Sequence, residues 1–177
     1  MIKVERLHSE KVTEKFLTEL KWLFGKSFGS RFSEDDWHHA LGGTHIFIRD
    51  SGLLVAHAAV VPRLIYIGES QLRAGYVEGV ATLPNRQHQG LGTMVMVETN
   101  SITAEQFEIG TLSSSSKQFY RNFGWEDWLG PSFVIREGEW VRSEIEDDGI
   151  MILRGKLSPI LNLDSRIACE ERPGDAW

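Results

Sequence analysis

Apolar positions along this chain switch between a period of two and a period near 3.6, and the switches mark its elements. MIKVERL alternates in polarity and predicts a first strand. From Thr13 to Phe24 the period lengthens, with Phe16, Leu17, Leu20 and Leu23 at helical spacing. Ser33 opens a second, short helix, SEDDWHHAL, with acids in its first turn and Gly42-Gly43 as its stop. THIFIRD and GLLVAHAAVVPRLIYI are β-rich, and DSG between them reads as a hairpin turn. GES gives another turn, and LRAGYVEGVATL is a strand that Pro84 closes. A helix then runs to about Gln106, EIGTLSS is a short strand, and SSKQFYRNFG is a helix stopped by Gly124. WEDWLGPSFVIREGEWV and GIMILRG are strand-like with loops. The order predicts an α/β fold, a mixed sheet with helices packed on it, in a single domain spanning residues 1–177.

Composition narrows the function. The chain is 41% hydrophobic and 25% charged, an ordinary globular balance. A net charge of −6 argues against a nucleic-acid partner and is compatible with a cationic small substrate. A single cysteine, Cys169, permits no intrachain disulfide and is expected as a small filler in the C-terminal strand. The N-terminus has no signal-peptide core, and the longest apolar run, LLVAHAAVV, is too short for a membrane span and is broken by His57. These readings predict a cytoplasmic protein with no membrane partner. His38 and His39 are adjacent on a helix and diverge by about 100°, a poor chelate. His57, in a strand, reads as a satisfied core or rim histidine, and no metal is expected.

The stretch YVEGVATLPNRQHQGLGT carries the first chemistry. It lacks the lysine of a P-loop, and its glycines do not follow the dinucleotide spacing at a first strand. It does contain Q-x-x-G-x-G between a strand and a helix. Glycines there let backbone N–H groups at a helix start approach a pyrophosphate. The hexapeptide alone reads as a helix start with turn glycines and no ligand.

Its context is more telling. A strand ending VEGVATLP precedes it, and LSSSSKQFYRNFGW, a strand and then a helix, follows. This succession resembles the GNAT superfamily of acetyl-CoA-dependent N-acetyltransferases. The resemblance implies a GNAT fold, a mixed central sheet splayed between two parallel strands with helices packed on both faces. It also implies acetyl-CoA as co-substrate. Val80, Ala81 and Thr82 would run beside pantetheine, with Gln87, His88, Gln89, Gly90, Leu91 and Gly92 around the pyrophosphate.

Further segments are more specific. W-x-H-x-LGG-x-H from Trp37 to His45, then AHAAV, GYVEGVA, LSSS, DDG and the terminal PGDAW, look like aminoglycoside 2′-N-acetyltransferases. That resemblance covers the chain from about residue 28 to its end and implies a homodimer. It implies Glu78 as general base toward the substrate amine and Tyr120 as general acid toward the departing thiolate. It further implies the Val80 N–H as oxyanion donor and a direct transfer with no acyl-enzyme. Asp36, Glu78, Gly79, Ser113, Asp147, Asp175 and Trp177 map onto acceptor-contacting positions, Trp177 through the terminal carboxylate.

One position departs. Where the relatives carry an aspartate that holds an amino group of the drug, GSRFSEDDW places Arg31. The reversed charge repels a polyamine and suits a carboxylate, which guanidinium grips through two parallel bonds. Kasugamycin combines a free 2′-amine with an amidine carboxylate, so the expectation becomes a kasugamycin 2′-N-acetyltransferase. The alternatives are acetylation of gentamicin, tobramycin or kanamycin, acetylation of another small amine or peptide, or a non-catalytic acyl-CoA sensor.

Overall fold

In a computed structural model describing residues 2–177, the Thr13 hydroxyl accepts the Phe16 N–H and starts helix α1, Glu14–Phe28. Phe16, Leu20, Leu23 and Phe24 recur at three- and four-residue spacing, and all four are buried. Ser33 and Asp36 close a reciprocal capping box on α2, Glu34–His39. Both helices belong to a first compact unit, formed by Met1–Val61 with Val77–Ser101; Pro62–Tyr76 with Ile102–Trp177 forms a second.

In the first unit, β1 (Lys3–His8) pairs antiparallel with β2 (Thr44–Asp50), which pairs with the beginning of β3 (Leu53–Ile67). Ser51 and Gly52, at φ 51° and 84°, make the turn between β2 and β3 that DSG predicts. The end of β4 (Ser70–Thr82) and the start of α3 (Leu91–Gln106) complete the unit. Phe16 packs on Phe47 with ring centres 4.9 Å apart, and Phe24 on Phe32 at 4.6 Å. Truncating such a buried aromatic to alanine costs about 3–5 kcal/mol.

The second unit is built on the sheet order β6-β9-β5-β4-β3-β10-β7-β8. Its strands are β5 (Ile109–Ser113), β6 (Glu126–Asp127), β7 (Ser132–Arg136), β8 (Glu139–Arg142), β9 (Ile150–Arg154) and β10 (Ile167–Glu170). Two pairings are parallel, β4 with β5 and β10 with β7; β5–β9, β10–β3 and β7–β8 are antiparallel. The β4–β5 ladder runs from Ala74–Ile109 to Tyr76–Thr111, while β4 continues to Thr82 and β5 to Ser113. Helix α4 (Lys117–Arg121) follows β5. Ile65, Tyr76, Ile109, Trp128, Ile152 and Ile167 fill the core of this unit.

The elements fall where the periodicity places them, with longer or shorter ends. Helix α1 continues past Phe24 to Phe28 because Phe24 and Phe28 keep contact with each other at 5.7 Å. Helix α2 stops at His39, before the glycine pair, with Ala40 as its C-cap. Strand β3 runs unbroken through Pro62. Residues 53–60 pair with β2 and residues 65–67 with β10, so a residue lacking an N–H falls between the two ladders. The fold is the mixed α/β arrangement expected, a curled sheet of parallel and antiparallel strands with helices packed on it.

Candidate active site

In the first unit, Glu78, Gly79 and Val80 are half-buried in the second half of β4, followed by buried Ala81 and half-buried Thr82. Gly79 has φ 57°, a conformation side chains resist, and a Cβ there would lie 2.7 Å from the Phe24 ring. The local twist therefore requires glycine for two reasons. On its buried side the Gly79 carbonyl accepts from His57 Nδ1 at 2.8 Å.

Past Pro84–Arg86, a single 3-10 turn, the chain passes through Gln87 to Gly90 and enters α3. Gln87, His88, Gln89 and Gly90 are exposed, while the Leu91 side chain is buried and anchors the helix. Gly90, at φ 80°, has no atom within 4 Å of where a Cβ would stand, and its carbonyl accepts the Met94 N–H at 3.0 Å. The first amides of a helix have no carbonyl one turn back to bond, so this start offers N–H groups to an anion. Arg86 holds this turn in place. Its guanidinium bonds Asp50 at 2.8 Å and Gln89 at 2.9 Å, which ties the turn to the end of β2. Nothing in Q-x-x-G-x-G signals that tether.

Arg31 ends a 3-10 turn over Gly29–Arg31 and is exposed. Among the described residues no ion pair or hydrogen bond engages its guanidinium. Asp36 is occupied locally: its Oδ2 accepts the Ser33 N–H at 2.8 Å and the Ser33 hydroxyl at 2.9 Å.

The second unit holds the remaining candidates. Tyr120 is buried on α4, its ring 5.1 Å from Phe119 and 6.3 Å from Trp125. A cavity of about 200 Å³ is lined by Ser143, Glu146, Arg172, Asp175 and Trp177, among others. Trp177 is 5% exposed, and its buried indole Nε1 has no hydrogen-bond partner among the described residues. The tail is held from several sides. Arg63 donates to the Ala176 carbonyl at 2.8 Å and to the Glu170 carbonyl at 3.1 Å, with its guanidinium 4.7 Å from the centre of the Tyr76 ring. The buried Cys169 thiol donates to the same Ala176 carbonyl at 3.2 Å, and burial pushes that thiol up to about 11. Cys169 is thus a filler in β10, as its position suggests, and is protonated at neutral pH.

Two neighbouring acids divide the roles that EDDG presents together. Asp147 is bound by Arg142 through its two terminal guanidinium nitrogens and accepts from the Ser132 N–H at 2.9 Å. The Arg142 bonds pull its carboxyl down to about 2. Asp147 thus serves this internal cluster, and it is Glu146 that lines the cavity. Glu146 accepts the Ser113 hydroxyl at 3.2 Å; burial, then the nearby Asp175, raises its carboxyl above the usual range. Burial here follows the turn at Glu144–Glu146, which sequence alone does not orient. Among the described residues no helix is long and apolar enough to cross a membrane.

A strand with a left-handed glycine thus leads through an open glycine turn into a helix start, an arrangement that can receive an anionic group. The acetyltransferase (GNAT) domain family matches residues 8–127. An aminoglycoside 2′-N-acetyltransferase from Mycolicibacterium fortuitum is 38% identical over 156 residues, 86% of this chain and 80% of that protein. Among solved structures, the GNAT family N-acetyltransferase YhbS from Escherichia coli, in complex with CoA, superposes with a TM-score of 0.67 at 16% identity, covering 98% and 93% of the two chains. A probable N-acyltransferase from Enterococcus faecalis V583 gives 0.61 at 16% identity over 73% of this chain, which spans only 33% of that longer protein. The chain belongs to the GNAT acetyltransferases and, within them, to the family of the aminoglycoside 2′-N-acetyltransferase from M. fortuitum. It is therefore an N-acetyltransferase of a class that uses acetyl-CoA.

Proposed function

We propose that the chain acetylates the 2′-amine of an aminoglycoside, with kasugamycin as the preferred acceptor. The observation that carries the first part is the 38% identity to an aminoglycoside 2′-N-acetyltransferase across 86% of the chain. Arg31 supports the second part: an exposed, unengaged guanidinium suits a substrate carboxylate.

In this reading, Gln87 to Gly92 hold the pyrophosphate of acetyl-CoA, and Val80, Ala81 and Thr82 flank its pantetheine arm. The absence of any atom within 4 Å of a Cβ at Gly90 fits that role, since backbone can approach the phosphate there. Acetyl-CoA supplies an activated thioester. Glu78 takes the proton the ammonium must lose before nitrogen can attack. The Val80 N–H receives the charge that develops on the thioester oxygen. Tyr120 gives its phenolic proton to the leaving sulfur and regains one from the acylated nitrogen, which sheds its second proton as the amide forms. Gly79, Ser113, Glu146, Asp175 and Trp177 bind the acceptor. The cavity beside Trp177, about 200 Å³, suits one amino-sugar ring rather than a whole drug.

The acids around that cavity favour a second reading, in which polyamines such as gentamicin, tobramycin or kanamycin are the acceptors. Thiol release from acetyl-CoA decides between them. Kasugamycin should turn over, and Arg31→Ala should raise its KM about 10- to 100-fold, the loss of a charge-assisted pair worth ~1.5–3 kcal/mol. Rapid turnover of kanamycin with none of kasugamycin refutes the preference. Turnover of peptides alone, or of no amine at all, refutes the reading as a whole.

A further inference from the structure

Two fully buried histidines of the first unit take no part in the chemistry described so far. Their hydrogen bonds allow a single assignment of protons. Ser9 Oγ accepts the Gly42 N–H at 3.0 Å and the Gly43 N–H at 3.2 Å, so both its lone pairs are used. Its own proton must go to His45 Nε2, 2.9 Å away. His45 therefore carries its proton on Nδ1 and donates it to His57 Nε2 at 2.9 Å. His57 in turn is protonated on Nδ1 and donates to the Gly79 carbonyl at 2.8 Å. Desolvation keeps both rings neutral, His45 down to about 4 and His57 to about 3. The chain of bonds points one way, from a half-buried serine to one carbonyl.

A carbonyl cannot pass a proton on, so this is no proton wire to the substrate. What it can do is orient. The Gly79 C=O and the Val80 N–H belong to one trans peptide plane and point in opposite directions. Fixing the carbonyl on the buried side aims the N–H the other way. A carbonyl that accepts a strong bond also polarises its peptide and makes the N–H a better donor. Gly79 alone would leave the plane free, because glycine tolerates several rotations of this peptide. The Phe24 ring, 5.2 Å from His57, holds the imidazole in place.

We propose that Ser9, His45 and His57 are positioning residues whose one-way relay fixes and polarises the Gly79–Val80 peptide as the oxyanion donor. The inference rests on the role given to Val80 above. Its test uses the full chain and three substitutions. His57→Phe removes the donor and keeps the ring; His57→Asn keeps an N–H near the Nδ1 position; His57→Gln moves the amide to the His45 end. His57→Phe should lower kcat about 10- to 100-fold, because a misaimed donor forfeits much of what an oxyanion-hole bond supplies. The KM for acetyl-CoA should stay within about twofold, since binding of the arm is not the step affected. His57→Asn should recover most of the loss and His57→Gln should not.

A readout without substrate accompanies this. In protein labelled with ¹³C and ¹⁵N, the Gly79 carbonyl carbon should move upfield and the Val80 amide should shift in His57→Phe and His57→Gln, and stay near wild type in His57→Asn. If His57→Phe does not fold, the Asn and Gln pair decides. Unchanged kcat and unchanged shifts, or equal losses in Asn and Gln, overturn the inference. A wild-type protein that acetylates no amine overturns the proposed function instead, whatever the Val80 shift does.

Discussion

The same histidine pair makes acid stability a sharp quantity. His45 titrates at about 4 and His57 at about 3 in the folded chain, both lowered from 6.5 chiefly by burial. In the unfolded chain both take up protons as the pH falls through 6.5, while the folded chain keeps both neutral. The unfolded state then binds more protons, so stability is fully present above about pH 6.5 and drains away below it. At about pH 5 each histidine lies ~1.5 pH units below its unfolded value, which at ~1.36 kcal/mol per unit costs ~2 kcal/mol. The pair therefore removes about 4 kcal/mol between roughly pH 8 and pH 5, from a total that for such domains is ~5–15 kcal/mol. Near pH 5 the slope approaches ~2.7 kcal/mol per pH unit, the linkage of two protons. Urea unfolding at a series of pH values measures it directly. The control is the His45→Asn, His57→Asn double variant, which is less stable throughout but cannot bind those protons. The slopes, not the absolute stabilities, are compared. Equal slopes in wild type and double variant refute the reasoning, as does an NMR titration in which either imidazole ionises near 6.5 in the folded protein.

Two other substitutions separate neighbours that look alike in sequence. Arg63→Met should free the Ala176 carbonyl and loosen the tail. It should raise the aminoglycoside KM about tenfold, the loss of one charge-assisted bond, and leave the acetyl-CoA KM alone; equal effects on both constants would sink that role. Asp147→Asn should lower the melting temperature through the lost Arg142 pair, by about 2–4 °C, with KM unchanged. Glu146→Gln should do the reverse, raising the acceptor KM with little change in melting; steady-state kinetics and thermal denaturation on both variants check the pair.

How much was legible beforehand depends on how far apart the partners lie. Helix α1 was visible because its cap at Thr13 and its buried stripe from Phe16 to Phe24 fall within a few turns. The glycine turn was legible for the same reason, since strand, turn and helix are contiguous from Tyr76 to Gln106, while acetyl-CoA as its ligand came from the family resemblance. The placement of Cys169 in the last strand also followed from local pattern. Asp147 and Glu146 could not be told apart, because Ser132 and Ser113, which separate them, lie 15 and 33 residues away, and Arg142, only five residues from Asp147, meets it through the fold of the turn between them.

The sequence by itself determined the order of elements, because periodicity, caps and turn glycines act between residues that are neighbours along the chain; the family and the class of reaction came through the resemblance of its contiguous motifs to known relatives. Tertiary structure alone decided which acid lines the cavity, what pins the tail, and which partners His57 meets. The relay joins residues 9, 45, 57 and 79, and the tail clamp joins 63 to 176. Hydrogen bonds across such separations leave no period in the sequence. They arise only when strands pair in register and burial removes water, so that each donor must find the one acceptor left to it.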